Sequence, residues 1–280
     1  SGQVAAIAAL VEKFAPKTAT PAAGLLERIN HAKLHATLDV AGDKKASVTV
    51  AKMAVTGAID AMKVDARVRM SGDWEKPAAA DIGLDGTVDA PDGAALLKLI
   101  GLDRYLAAGQ GSGHLKVQVS GPADRDQNID LRLSAGGLRA QSAGHGRLSL
   151  DKGLQMTSTL QVANADLRPL RPAGIADRSE PLPFSLNSSV VIADRAISFN
   201  DVKARLGGAT IRGSLAFDGQ TPSRVSGALD ADTIEAPPLI ASAIGLPAAA
   251  GSNGGAAWVW SSEPFGGGLF GAFNGEIALK

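Results

Sequence analysis

The sequence predicts a mainly β protein. Repeated antiparallel strands form a strongly twisted or trough-like sheet, or two packed sheets, with a few short helices. Three observations carry that expectation. From His31 onward, apolar residues recur at every second position over many short segments, the period of a strand with one wet face. The chain of 280 residues holds 33 Gly and 14 Pro, punctuation too dense for long helices. One unit also occurs twice, at 86–121 and again from Gly227 to Ser261: strand end, Asp/Pro break, short apolar helix closing in Gly-Leu, flexible link, strand. A repeated unit points to a repeated architecture.

Residues 1–30 read as a helical segment. Val4, Ile7, Leu10, Val11 and Phe14 follow a helical stripe until Pro16, and Thr20-Pro21 opens a second short helix running to about Ile29. Residues 31–167 form a first β-rich repeat module. In it Leu34, Ala36, Leu38 and Val40 alternate with Lys33, His35, Thr37 and Asp39. After a turn near Gly42, Val48 and Val50 begin the next strand. Val64, Ala66, Val68 and Met70 then alternate with Lys63, Asp65, Arg67 and Arg69. Beyond the helix of the repeated unit, Leu115, Val117 and Val119 share one side against His114, Lys116 and Gln118. Ile129, Leu131 and Leu133 follow, and Gly136-Gly137 makes a tight turn. A turn at Asp151 leads to the strand from Leu154 to Val162.

Residues 168–183 form a Pro-rich connector with Pro169, Pro172, Pro181 and Pro183. Residues 184–280 form a second β-rich repeat module. Ile197 and Phe199 read as a short strand, followed by a separate one through Val202, Ala204 and Leu206. After Gly207-Gly208 come Ile211, Gly213, Leu215 and Phe217, and the stretch 270–279 could add one last strand.

Charge and composition exclude several functions. Lys plus Arg and Asp plus Glu both number 28, so the basic excess of a nucleic-acid binder is missing. No cysteine is present, which removes disulfides, thiolate nucleophiles and zinc–thiolate sites. The longest apolar-leaning stretch, 237–251, carries three prolines and is shorter than a membrane span. His31 and His35 have the spacing of a helical metal pair, but they lie in or beside a period-two run, so both belong on the wet face. The Gly-rich stretch 109–113 follows a helix and opens a strand, the reverse of a phosphate-cradling loop. Carboxylates fall at turns or on wet faces without convergence. The reading is non-enzymatic, with no cofactor and no metal.

What remains is the apolar face itself, and two readings of it stay open. It is either the core between two packed sheets or the lining of an open trough that takes acyl chains. The trough reading names Val64, Val68, Met70, Leu115, Val117, Val119, Ile129, Leu131, Leu133, Ile211, Leu215 and Phe217 as lining residues.

The second half carries a resemblance. The stretches LPFSL at 182–186, DRAISFNDVKARLGGATIRGSL at 194–215 and VSGALDA at 225–231 resemble the AsmA family of bacterial envelope proteins. WSSEPF at 260–265 looks like that family's Trp-Ser-x-x-Pro-apolar signature, and the unit at 86–121 is similar to its repeated module. The chain departs from the family pattern at Gly266–Gly268 and in having no anchor helix. The resemblance implies a periplasmic protein, tethered to the inner membrane by an N-terminal helix in its full-length form, with an elongated apolar groove. It implies outer-membrane biogenesis as the role and a phospholipid or other acyl-chain lipid as the ligand. The Ser1-Gly2 start without Met reads as a processing scar, so the chain is expected to be a fragment. The alternative is a structural module with a sealed core and free strand edges that assists assembly of envelope proteins.

Overall fold

The computed structural model describes residues 29–43, 48–73, 79–149, 153–170, 180–193, 196–219, 223–233 and 273–279. Thirteen strands among them form one sheet whose spatial order is the chain order. They are β1 (Ala32–Asp43), β2 (Val48–Ile59), β3 (Met62–Gly72), β4 (Asp81–Ala90), β5 (Gly113–Pro122), β6 (Gln127–Ala135) and β7 (Leu138–Ser149), then β8 (Gly153–Asp166), β9 (Pro183–Ala193), β10 (Ala196–Leu206), β11 (Ala209–Asp218), β12 (Ser223–Ala231) and β13 (Phe273–Leu279). Each strand returns beside its predecessor, through short turns in most cases and through longer connections at 91–112 and 167–182, and the pairs from β1 through β12 are antiparallel. Only β13 lies parallel to its neighbour, β12.

This is one open, trough-like sheet rather than two packed ones. Among the described elements, substantial packing is confined to sheet neighbours and to one helix, α1 (Gly93–Ile100), lying on β4, β5 and β6. The sheet also runs unbroken through the Pro-rich connector, because β8 and β9 pair directly. The helices expected in the first 30 residues, which are described only at Ile29 and Asn30, the helix expected near 237–245 and the strand expected at 256–261 lie outside the described residues.

The first copy of the repeated unit folds as its residues dictate. Asp92 caps α1, its carboxylate accepting from the Ala94 N–H at 3.1 Å. Gly101 closes the helix in the left-handed region at φ 77°, its N–H reaching the Leu97 and Lys98 carbonyls. Leu96, Leu97 and Leu99 are buried against the sheet.

Two features correct the sequence reading. Residues 196–206 form one strand, β10, rather than two. A bulge between Phe199 and Val202 carries the extra residue, with Asp201 in the left-handed region at φ 52°. The bulge keeps Ile197 and Phe199 on the same side as Val202, Ala204 and Leu206, which strict alternation would forbid. A second bulge lies between Val162 and Ala165, with Asn164 at φ 54°. It extends β8 to Asp166, four residues beyond the expected end at Val162.

The second feature is a glycine-free turn between β2 and β3. Asp60 takes φ 50° there, a conformation that Asp tolerates better than most residues. Its N–H donates to the His31 carbonyl at 2.7 Å, and its carboxylate accepts from the His31 N–H at 2.9 Å.

Candidate functional site

Residues opposite each other in a sheet share a face, so the register assigns every side chain to a side. Val64 and Val68 lie opposite Val88 and Leu84, and Met70 opposite Ile82. Val88, Gly86 and Leu84 lie opposite Leu115, Val117 and Val119. Those three lie opposite Leu133, Leu131 and Ile129. The row continues through Ala140, Ser142 and Gly144 on β7, then Val162, Leu160 and Ser158 on β8. From there it crosses to Leu186, Ser188 and Val190 on β9. On the far side, Ile211, Leu215 and Phe217 lie opposite Ala204, Phe199 and Ile197. All twelve residues proposed from the sequence therefore occupy one face, and all twelve are half-buried.

Polar atoms on this face are satisfied locally. The Ser142 hydroxyl donates to that of Ser158 at 3.0 Å, and the Ser188 hydroxyl donates to the Asn200 carbonyl at 2.8 Å. Phe199 and Phe217 meet edge to face with centroids 6.1 Å apart.

Helix α1 covers only part of the face. Leu96 and Leu99 pack with Met62 and Ala90, against Ile59, Val88, Leu115 and Leu133. Leu97 packs with Ala135, Leu138 and Ala165, against Val162 and Phe184. These positions lie at or near one end of their strands, so the helix and the link behind it close one rim. Leu115 and Leu133 are thus partly covered, while the other ten proposed residues belong to neither cluster. Toward β1 the face is open to solvent, with Leu38 70 % exposed and Val40 56 % exposed.

The opposite face is polar and bears two concavities that sequence reasoning missed. The larger, of about 730 Å³, is lined by Arg132, Arg139, Lys203, Arg205 and Arg212, and no carboxylate lines it among the described residues. Besides Leu133, Val162 and Leu186 its lining holds short residues and amides: Ala163 lies opposite Arg139, and Gln161 joins Gln141 to Asn187 across three strands. The Gln141 amide donates to Gln161. The smaller, of about 570 Å³, mixes Asp39 and Asp85 with Lys52, Arg67 and Arg69. Each of these cations occupies a polar position of an alternating strand. That they gather depends on register between strands distant in sequence, which no local window displays.

At the rim, Asp166 ends β8 and holds both ends of the connector. One carboxylate oxygen accepts from the Arg168 N–H at 3.0 Å and from the Leu182 N–H at 2.9 Å. The other accepts from the Arg168 guanidinium. Burial pushes this carboxyl up, but the Arg168 side chain and the two backbone donors outweigh it and hold the group below its ordinary value.

The remaining candidates stay apart. His35 is exposed on the polar face, opposite Thr56, and His31 is exposed beside Asp60. Stretch 109–113 links the region after α1 to β5, with the Gly111 carbonyl accepting from the Gly93 N–H at 2.8 Å. Among the described residues, no group of three His, Asp or Glu side chains is placed to hold a metal, and no helix is long and apolar enough to cross a membrane.

No family model matches the chain, and searches of curated proteins and of solved structures return no match either.

Proposed function

We propose that the chain handles lipid: its apolar face takes acyl chains of a phospholipid or similar amphiphile, without catalysis. One observation carries the reading. The apolar face continues through thirteen paired strands, and among the described residues no second layer covers it beyond α1. Twelve strand intervals of about 4.8 Å make a surface on the order of 60 Å across. A soluble protein rarely leaves so large an apolar surface without an occupant. Each CH₂ moved from water onto such a surface is worth about 0.8 kcal/mol, so one acyl chain along a few strands suffices for binding. The half-burial of the twelve residues suits this role, since side chains in a sealed core would lose more of their exposure.

The AsmA-family resemblance is what supports a periplasmic setting for this proposal, with an inner-membrane tether in the full-length protein and a role in outer-membrane biogenesis. A second reading, an interaction module assisting envelope-protein assembly, draws on the open edge at β1, whose outer side pairs with no described strand. Native mass spectrometry of the purified protein separates the two. Lipid adducts of defined mass are expected. Repeated preparations carrying none, with envelope proteins co-purifying instead, would move the assignment to the second reading.

A further inference from the structure

We propose that the larger concavity on the polar face is a binding site for phosphate esters of a polyol. The site lies on the side of the sheet away from the apolar face and does not rest on the acyl-chain reading.

The chain is neutral as a whole, yet five cationic side chains line one concavity in which, among the described residues, no carboxylate takes part. The smaller concavity, built on the same face from the same kind of strands, is mixed in sign. The contrast makes the larger site a local positive field rather than the ordinary wet side of a sheet.

The cations also differ in how far they are already engaged. Arg132 pairs with Asp130 at 2.9 Å, Arg212 lies opposite Asp230, and Arg205 is near enough to Asp232 to act on its carboxyl. Arg139 has no carboxylate beside it in the register, and Lys203, two residues after Asp201 on β10, forms no ion pair with it. Their register partners are Ser134 and Ala163 for Arg139, and Asn187 and Arg212 for Lys203. Among the described residues, neither pairs with a carboxylate. They stand on β7 and β10, three strand intervals or about 14 Å apart.

Between them lie Gln141, Gln161 and Asn187, whose amides offer donors and acceptors together. Arginine and lysine select phosphate oxygens, and an amide floor suits hydroxyl groups. A ligand with phosphates at its ends and hydroxyls between them matches this order. Among the described residues no Phe, Tyr or Trp lines the site, and its one aromatic ring, His114, is held by Asp89 at 2.7 Å, which disfavours stacked bases. A phosphorylated saccharide and the headgroup region of an anionic lipid share the required chemistry.

Calorimetric titration with fructose 1,6-bisphosphate, which carries a phosphate at each end and hydroxyls between them, with inorganic phosphate and with phosphatidylglycerol vesicles tests the assignment. The bisphosphate is expected to bind, with inorganic phosphate at least about tenfold weaker because it reaches one cation only. Arg139→Gln combined with Lys203→Gln should weaken the bisphosphate by about tenfold or more. Arg67→Gln combined with Arg69→Gln, in the mixed concavity, should leave it unchanged. Arg139→Lys should retain more affinity than Arg139→Gln. Vesicle binding that is lost with the Arg139/Lys203 pair identifies a lipid headgroup as the source; bisphosphate binding without vesicle binding identifies a soluble ester. Absence of bisphosphate binding, or equal weakening by both pairs of substitutions, overturns the proposal. Matching far-ultraviolet circular dichroism of the variants, whose altered side chains are exposed, excludes misfolding as the cause.

Discussion

Gly113 of β5 lies directly against Leu96 of α1: a Cβ built on the glycine would sit 2.8 Å from the Leu96 Cβ. The contact sets how closely the helix rides on the apolar face. Gly113 is itself buried, so a larger side chain has nowhere to turn. Gly113→Val is expected to destabilise the fold by about 1–3 kcal/mol through overpacking, measured by chemical denaturation. In a double-mutant cycle with Leu96→Gly, which removes that Cβ, the losses of the two single variants should be less than additive. Strictly additive losses would show that the two residues do not share the contact.

The cover by α1 separates two neighbours on β5 that look alike in the sequence. Leu115 packs against the cluster of Leu96 and Leu99, and Val117 belongs to neither cluster. Leu115→Asp drives a carboxylate under the helix and should cost about 3 kcal/mol or more. Val117→Asp stays half-exposed and should cost only about 1–2 kcal/mol, from lost partial burial and the poor fit of Asp in a strand. If lipid occupies the face, Val117→Asp removes the lipid adducts while the protein stays folded. Unfolding by Val117→Asp would mean that the residue sits in a sealed core.

Much of this was legible in the sequence because a strand advertises its faces locally. Val64, Val68 and Met70, or Leu115, Val117 and Val119, declare one side within a single segment, and the short turns between segments fix antiparallel neighbours. The helix at 93–100 was visible through Asp92 and Gly101, which mark its two ends. Three things were hidden. The turn at Asp60 has no glycine to mark it. The bulges at Asn164 and Asp201 replace strict alternation by one extra residue, which reads as a strand break. The basic concavity is assembled from β6, β7, β10 and β11, and only register brings Arg132 and Arg139 to the same surface as Lys203, Arg205 and Arg212.

Asp166 ties the rim to pH. Its carboxyl is held below the ordinary 3.8 in the folded state, so the folded form favours the charged group. The stabilisation is therefore complete above the unfolded value and lost as pH falls through the lower folded value. Asp166→Asn should cost about 1–3 kcal/mol near neutral pH, since the variant loses the charged partner of Arg168. The difference between wild type and variant should shrink as pH falls from about 5 to about 2. A difference that is constant across this range would mean that the carboxyl titrates normally in the folded protein.

The bulge in β10 gives the sharpest test of the shared apolar face. Asp201 is the extra residue that lets Ile197 and Phe199, on one side of the bulge, and Val202, Ala204 and Leu206, on the other, point the same way. Deleting Asp201 leaves two outcomes. Strict alternation resumes and turns Val202, Ala204 and Leu206 onto the polar face, or the strand loses its pairing with β9 and β11 beyond that point. Val202 and Ala204 are buried, so either outcome exposes them and should cost several kcal/mol, on the order of 3 or more. Asp201→Gly keeps the extra residue, and glycine accepts φ 52° more readily than aspartate. That variant should match wild type to within about 1 kcal/mol. Hydrogen exchange read strand by strand checks both: the deletion should lose protection in β10 and its two neighbours, and Asp201→Gly should not. Equal protection in the deletion variant would show that the face does not depend on the bulge.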